Sequence, residues 1–360
     1  MTKERKNNSG DRIRVGISVG DINGVGMEVI IKTFLDNRML ELCTPIVYGS
    51  DKVASFHRKA LGITDFSFNI APSPDQLNTK RANLINCWEE DVKVTLGEST
   101  PDGGKYAFKS LKAATEDLAS NKVDVLITAP INKHNIQSEE FDFPGHTEYL
   151  ANYANEDNPL MILVNGGLRV GVATGHISVK EVAEQLTSEL ILTKLQVMQK
   201  SLRQDFKVVK PKIAVLGLNP HAGDNGLIGE EENRIIVPAI RKAQDEGILT
   251  FGPFPADGFF GSSVYTQFDG ILAMYHDQGL IPFKTLSFGN GVNFTAGLPI
   301  VRTSPDHGTA YNIAGKNEAS EQSFREAVYL ACDIYNNRKE FKALTANPLV
   351  PGKQGKSRRF

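Results

Sequence analysis

Short apolar runs alternate along this chain with longer stretches in which apolar positions recur at helical spacing. Ile13–Val19 (IRVGISV), Pro45–Tyr48, Val123–Thr128 (VDVLIT), Lys212–Leu218 and Ile271–Tyr275 read as buried strands. Met27–Leu35, Val53–Leu61, Tyr106–Asn121, Ser178–Gln199, Glu232–Glu246 and Ser320–Tyr335 read as helices. Met161–Val164 and Arg169–Thr174 flank Asn165-Gly166-Gly167, a hairpin turn signal, so they form an antiparallel pair. Residues 63–101 mix turn signals with an extended edge segment. There is no internal repeat. Alternating strand and helix predicts an α/β protein with a mostly parallel sheet and at least one antiparallel piece.

Several strands end in chemistry-bearing tails: Ser18–Asp21, Thr128–Lys133, Thr174-Gly175-His176, Asn219-Pro220-His221 and Tyr275-His276-Asp277. If the strands run parallel, these tails share one sheet edge, where open α/β sheets bind ligands. The densest stretch is Asp269–Lys316, which carries His276, Asp277, Lys284, Asn293, Arg302 and His307. Cations, amides and imidazoles at that density point to an enzyme with an anionic substrate.

Composition narrows the picture. At 360 residues the chain exceeds one ordinary core and is expected to hold two lobes. The net charge is −2, with no basic block for nucleic acid except at the C-terminal end. The basic run Lys353–Arg359 reads as a solvated tail. Cys43, Cys87 and Cys332 are odd in number, far apart and without a CxxC, which fits a reducing cytoplasm. The polar start MTKERKNNSGDR lacks a signal-peptide core, and no apolar run has the length of a membrane span.

Of the seven histidines, His57 lies in a charged helical stretch and reads as a surface residue, and His134 as a loop or cap residue. His176, His221 and His276 each follow an apolar run, and three imidazoles at one edge suit a divalent transition metal. His146 follows a Pro-Gly turn. With Thr147 as N-cap of Glu148–Tyr153 it offers donors to a phosphate or carboxylate. Gly20–Gly26 reads G-D-x-x-G-x-G, not the dinucleotide fingerprint, and a tight strand-to-helix turn explains it at least as well.

The blocks GDINGVG (20–26), TAPINK (128–133), FPGHTEYL (143–150), TGHISV (174–179), LGLNPHAGDNGLIGEEE (216–232), GPFPADGFF (252–260) and the stretch 269–316 resemble the 4-hydroxythreonine-4-phosphate dehydrogenase family of vitamin B6 biosynthesis. The resemblance runs from about residue 13 to about residue 335. It implies the isocitrate/isopropylmalate dehydrogenase-like fold, with two α/β/α lobes and an active-site cleft between them. Residues 1–130 plus 290–360 would form the cofactor-side lobe, and 131–289 the metal, substrate and dimerisation lobe. It implies His176, His221 and His276 as metal ligands drawn from both subunits of a homodimer. His146, Thr147, Lys284, Asn293 and Arg302 would bind substrate, with Asp257 and Asp277 as acids near the metal. Lys284 would be a clamp or a proton acceptor. His307, Gly308, Thr309 and Asn312 would hold NAD or NADP. The expected reaction is NAD(P)- and divalent-metal-dependent oxidation (zinc, magnesium or cobalt) of 4-phosphohydroxy-L-threonine. D-threonate or D-erythronate 4-phosphate is the alternative substrate, and a metal-dependent hydrolase or lyase without nicotinamide the alternative class. The first turn departs from the family's usual GDPAGIGPE at Ile22-Asn23 and Met27.

Overall fold

The computed structural model describes residues 12–347. The polar N-terminal stretch and the basic C-terminal run Lys353–Arg359 lie outside the described residues. Twelve strands form one sheet: β1 Ile13–Ser18, β2 Cys43–Gly49, β3 Asn69–Ile70, β4 Asn83–Asn86, β5 Val125–Thr128, β6 Leu160–Asn165, β7 Leu168–Val172, β8 Lys212–Leu216, β9 Leu249–Phe254, β10 Gly270–Ala273, β11 Val292–Ala296 and β12 Arg302–Pro305. Their order across the sheet is β3-β4-β2-β1-β5-β12-β11-β6-β7-β10-β8-β9. The α/β reading with a mostly parallel sheet is therefore correct. No described helix is long and apolar enough to cross a membrane.

The pairing direction changes one expectation. Strands β12–β11, β11–β6 and β6–β7 pair antiparallel at the centre, and every other neighbour pair is parallel. With three reversals, β1, β5 and β12 point one way and β7, β10 and β8 point the other. The tails after Ser18 and Thr128 thus leave the sheet at the opposite end from those carrying His176, His221 and His276. They do not share an edge; what brings some of them together is the sheet's central face.

That face is distinguished by its core. Residues alternate between the two sides of a strand. On one side, Val15, Ile17, Val125, Ile127, Ile162, Phe294, Ile213 and Leu272 join a single apolar cluster spanning the sheet. On the other, the apolar residues fall into two clusters. One contains Ile46, Leu126, Phe141 and Tyr149, the other Leu163, Val170, Leu216, Ile271 and Phe283. Asn293, Thr295, Arg302 and Ser304 stand between them, by alternation with Phe294 and by the register Leu126↔Arg302 and Asn293↔Ser304. A polar seam interrupts the core on this face alone.

Local differences have local causes. The helix expected from Tyr106 begins at Pro101, because Thr100 accepts from Gly103 N and proline suits the first helical position. Ser178–Gln199 breaks into Val179–Gln185 and Ser188–Gln204, since Thr187 caps the second helix by accepting from Leu190 N. Thr147 does not cap; the helix starts at His146 with Gly145 as N-cap. Glu232–Ile236 is a π turn ahead of the helix Val237–Asp245, where Pro238 lacks the N–H that an α turn needs. β9, β11, β12 and the helix His276–Ser287 are additional to the elements expected, and Pro282 inside that helix masks it.

His57 is not at the surface. It is 1% exposed, and its ring bonds through Nε2 to the Ile22 carbonyl at 2.7 Å, bracing the first turn from below. Burial lowers its pKa from 6.5, so the ring is neutral at pH 7. A depressed folded-state pKa gives stability that is complete above the unfolded value and lost as pH falls towards the folded one. Thermal unfolding from pH 8 to 5 should show a Tm that is level down to about pH 6.5 and then falls. His57→Gln, which keeps a donor for Ile22 and does not titrate, should make that fall shallower.

Candidate active site

The polar seam floors a cavity of about 460 Å³. Met161 and Leu163 of β6, Asn293 of β11 and Arg302 and Ser304 of β12 form its base. Its walls come from both ends of the sheet. Pro130, Ile131 and Lys133 follow β5, and Asp306, His307 and Gly308 follow β12. His176 follows β7, while His276, Asp277 and Lys284 belong to the helix after β10.

The cavity is built for negative charge. Arg302 is 2% exposed and points Nε and Nη2 at Thr128 Oγ1 (3.0 and 2.6 Å) and Nη1 at Thr295 Oγ1 (3.2 Å). Among the described residues it has no carboxylate within ion-pair distance, and burial lowers its pKa to about 10, leaving it charged at pH 7. A buried cation answered only by hydroxyls is costly unless an anion completes it. His146 is neutral, held well below its ordinary pKa by burial and then by the Arg302 and Lys133 charges. Lys284 Nζ donates to the Asp306 carbonyl at 3.0 Å and keeps two further N–H donors. His146 Nε2, Asn293 Oδ1 and His307 Nε2 are sealed from solvent without a partner. Buried polar atoms normally find partners, so three orphans around one cavity mark a candidate ligand site.

Two of the three expected metal-binding histidines meet here. The His176 and His276 rings lie 5.9 Å apart between centroids. His176 Nδ1 faces Glu148 Oε1 at 3.3 Å, and His276 Nδ1 faces Asp277 Oδ1 at 2.7 Å. Carboxylates on both Nδ1 atoms fix the tautomers that leave the Nε2 lone pairs available, which is the arrangement of metal-ligating imidazoles. The donor set fits a divalent cation. Among the described residues no group of three or more His, Cys, Asp or Glu closes around a metal. His176 Nε2 instead contacts Lys133 Nζ at 2.8 Å. Lys133, whose pKa is lowered by its desolvating surroundings, was not singled out from the sequence as a site residue. Its place in TAPINK, after a strand tail, was the available signal.

His221 does not line this cavity. It sits on an exposed turn in which His221, Ala222, Gly223, Asp224 and Asn225 all have positive φ. Left-handed backbone costs about 1 kcal/mol or more per non-glycine residue. Glu232, 3% exposed, holds the turn: Oε1 accepts from Leu218 N (2.8 Å) and Asn219 N (2.7 Å), and Oε2 from Asn219 Nδ2 (3.0 Å). Asp257 lines a neighbouring hollow of about 550 Å³ with Asn219, Pro220 and Asp277, and Asp277 borders both spaces. Thr147, Thr309 and Asn312 lie outside the main cavity's walls.

The first turn is structural. Its N–H groups are taken by the chain: Asp21 N donates to Pro130 O (2.9 Å) and Val25 N to Thr309 O (3.0 Å). At Gly24 a Cβ would stand 2.7 Å from Thr309 O, so glycine is required for this contact. The turn supports the His307–Asn312 loop through these contacts.

Residues 41–331 match the family model described as pyridoxal phosphate biosynthetic protein PdxA. A relative from Bacteroides thetaiotaomicron, 4-hydroxythreonine-4-phosphate dehydrogenase, is 55% identical over 340 residues, covering 94% of this chain and 93% of its own length. A relative from Oceanobacillus iheyensis, named for D-threonate 4-phosphate dehydrogenase activity, is 39% identical and covers 89% and 97%. A crystal structure of 4-hydroxythreonine-4-phosphate dehydrogenase from Klebsiella pneumoniae superimposes with a TM-score of 0.78 at 33% identity, covering 91% of this chain and 99% of that one. Isocitrate dehydrogenase from Methylococcus capsulatus shares the fold alone, with a TM-score of 0.51 at 12% identity.

Glu232→Ala leaves two backbone N–H groups of the His221 turn without their acceptor, a loss of about 1–3 kcal/mol per buried group. The expected result is a lower Tm together with protease cleavage in residues 218–229 that the parent protein resists. Unchanged cleavage there would remove Glu232 as the anchor.

Proposed function

This chain belongs to the PdxA family of pyridoxal phosphate biosynthetic proteins, and from that premise we propose that it is an NAD- or NADP-dependent dehydrogenase. Its substrate is 4-phosphohydroxy-L-threonine, oxidised at the 3-hydroxyl to 2-amino-3-oxo-4-phosphooxybutanoate, which decarboxylates to 3-amino-2-oxopropyl phosphate. The supporting observation is the buried Arg302 guanidinium, without a carboxylate partner, in one cavity with Lys133, Lys284 and neutral His146. Such a surplus of donors matches a substrate with a phosphate at one end and a carboxylate at the other.

Arg302, Lys284, Asn293 and His146, with Thr147 beside it, bind the anionic ends and orient the hydroxyl-bearing carbon. His176 and His276, and His221 from a second copy, would hold a divalent cation. Such a cation would lower the pKa of the substrate hydroxyl, and a bound nicotinamide would supply the hydride acceptor. Asp277 and Glu148 keep the imidazoles in the ligating tautomer. Asp257 and Asp277 supply negative charge beside the cation. The His307–Asn312 loop carries the cofactor. Lys284 takes up the hydroxyl proton or clamps the phosphate. A homodimer is supported by three exposed apolar residues close in sequence to the three histidines, Val179, Leu227 and Ile281, which are 76, 81 and 63% exposed, and a cytoplasmic location by the three free cysteines.

The test is reduction of nicotinamide by purified protein with a divalent metal, NAD⁺ or NADP⁺, and each phosphorylated acid in turn. Turnover of 4-phosphohydroxy-L-threonine is expected. A rate confined to D-threonate or D-erythronate 4-phosphate would replace the substrate, and no reduction with any acid would remove the dehydrogenase. Arg302→Ala should lower kcat/KM about 100-fold or more, and Arg302→Lys should rescue little of it, because one ammonium cannot replace the guanidinium fork. His221→Ala should lose bound metal.

A further inference from the structure

We propose that Asp21 is a positioning residue that couples two arms of the cavity wall, the Lys133 turn and the His307–Asn312 loop, so that it sets the affinity for both substrate and cofactor without touching either. The proposal rests on the function proposed above.

Asp21 follows β1, is 1% exposed, and lines neither the main cavity nor the hollow beside it. Its carboxylate nonetheless gathers three donors from separate segments. Oδ2 accepts from Tyr311 Oη at 2.7 Å and from Asn135 Nδ2 at 2.8 Å, and Oδ1 accepts from Asn23 N at 2.9 Å. Tyr311 lies in the loop that carries His307 and Gly308. Asn135 lies in the turn that carries Lys133. One oxygen therefore receives both arms.

No cation among the described residues pairs with this buried acid. What faces it is the first turn of the helix Pro101–Ala119. A Cβ at Gly103 would stand 2.7 and 2.8 Å from the two carboxylate oxygens, so only glycine admits the approach. The positive end of the helix compensates the charge and leaves the oxygens free for neutral donors. Asn135 is held to the same helix start through Thr100 O at 3.0 Å and Ser99 Oγ at 3.3 Å. The backbone repeats the connection, since Asp21 N reaches Pro130 O on one arm and Val25 N reaches Thr309 O on the other.

Each arm has its own variant. Tyr311→Phe should raise KM for the nicotinamide dinucleotide about tenfold and leave KM for the phosphorylated acid within about twofold. Asn135→Ala should do the reverse. Asp21→Ala should raise both, with kcat less affected. Asp21→Asn alone, with its amide oxygen in the place that accepts from Tyr311 and Asn135, gives up only the acceptor for Asn23 N, so it should keep most of both KM values that Asp21→Ala loses. Variants that lower Tm without this split, or an Asp21→Asn variant as impaired in both KM values as Asp21→Ala, would make Asp21 merely structural and overturn the proposal. If the parent protein reduces no nicotinamide with any phosphorylated acid, the functional reading fails on its own. Amide hydrogen exchange then decides the coupling. Faster exchange confined to residues 307–316 in Tyr311→Phe and to 130–136 in Asn135→Ala supports it, and unchanged or uniformly faster exchange overturns it.

Discussion

A sheet covered by apolar residues on both faces has no room for a charged ligand, and this one makes room by interrupting one face only. The continuous cluster behind the sheet keeps the strands together. The cluster in front divides in two, and Arg302, Asn293, Thr295 and Ser304 occupy the gap. Everything at the site depends on that division. Arg302 is affordable there because Thr128 and Thr295 offer hydroxyls from the flanking strands, and because the cavity in front of it admits an anion.

The reversed strands at the centre follow the same logic. In a wholly parallel sheet the tails that follow the strands all lie at one end, and a ligand there would be held from one side. Here such tails leave both ends and fold over the seam. Lys133 and His307 arrive from one direction, His176 and His276 from the other. The polar contacts between arms, Lys133 with His176 and Lys284 with the Asp306 carbonyl, cross that divide.

Much of the fold was legible because its strongest signals are local. Ile13–Ser18 and Val125–Thr128 are apolar runs with no helical period, and the Asn165-Gly166-Gly167 turn defines its own hairpin. β12 was not legible, since Arg302-Thr303-Ser304-Pro305 has no apolar alternation, and β11 was passed over although Val292, Phe294 and Ala296 alternate with Asn293 and Thr295. The histidines divided in the same way. His176 and His276 stand where strand tails suggested they would meet. His57 was misread because Arg58 and Lys59 beside it point to a surface, while its own position on the helix faces Ile22. Strand direction is not written in any single segment, so the convergence from two ends required the assembled sheet.

The strand order also bears on how the chain is made. β5 is complete at residue 128, but its neighbour β12 begins at residue 302. At about 5–20 residues per second, ribosomal synthesis leaves roughly 9 to 35 s between the two. Throughout that interval the nascent N-terminal strands carry an apolar, unpaired edge along Val125–Thr128, the type of edge that recruits foreign strands. The late strand that carries Arg302 is thus also the one that closes this edge, so the chain stays exposed to misassembly until the buried cation of the cavity floor has been synthesised.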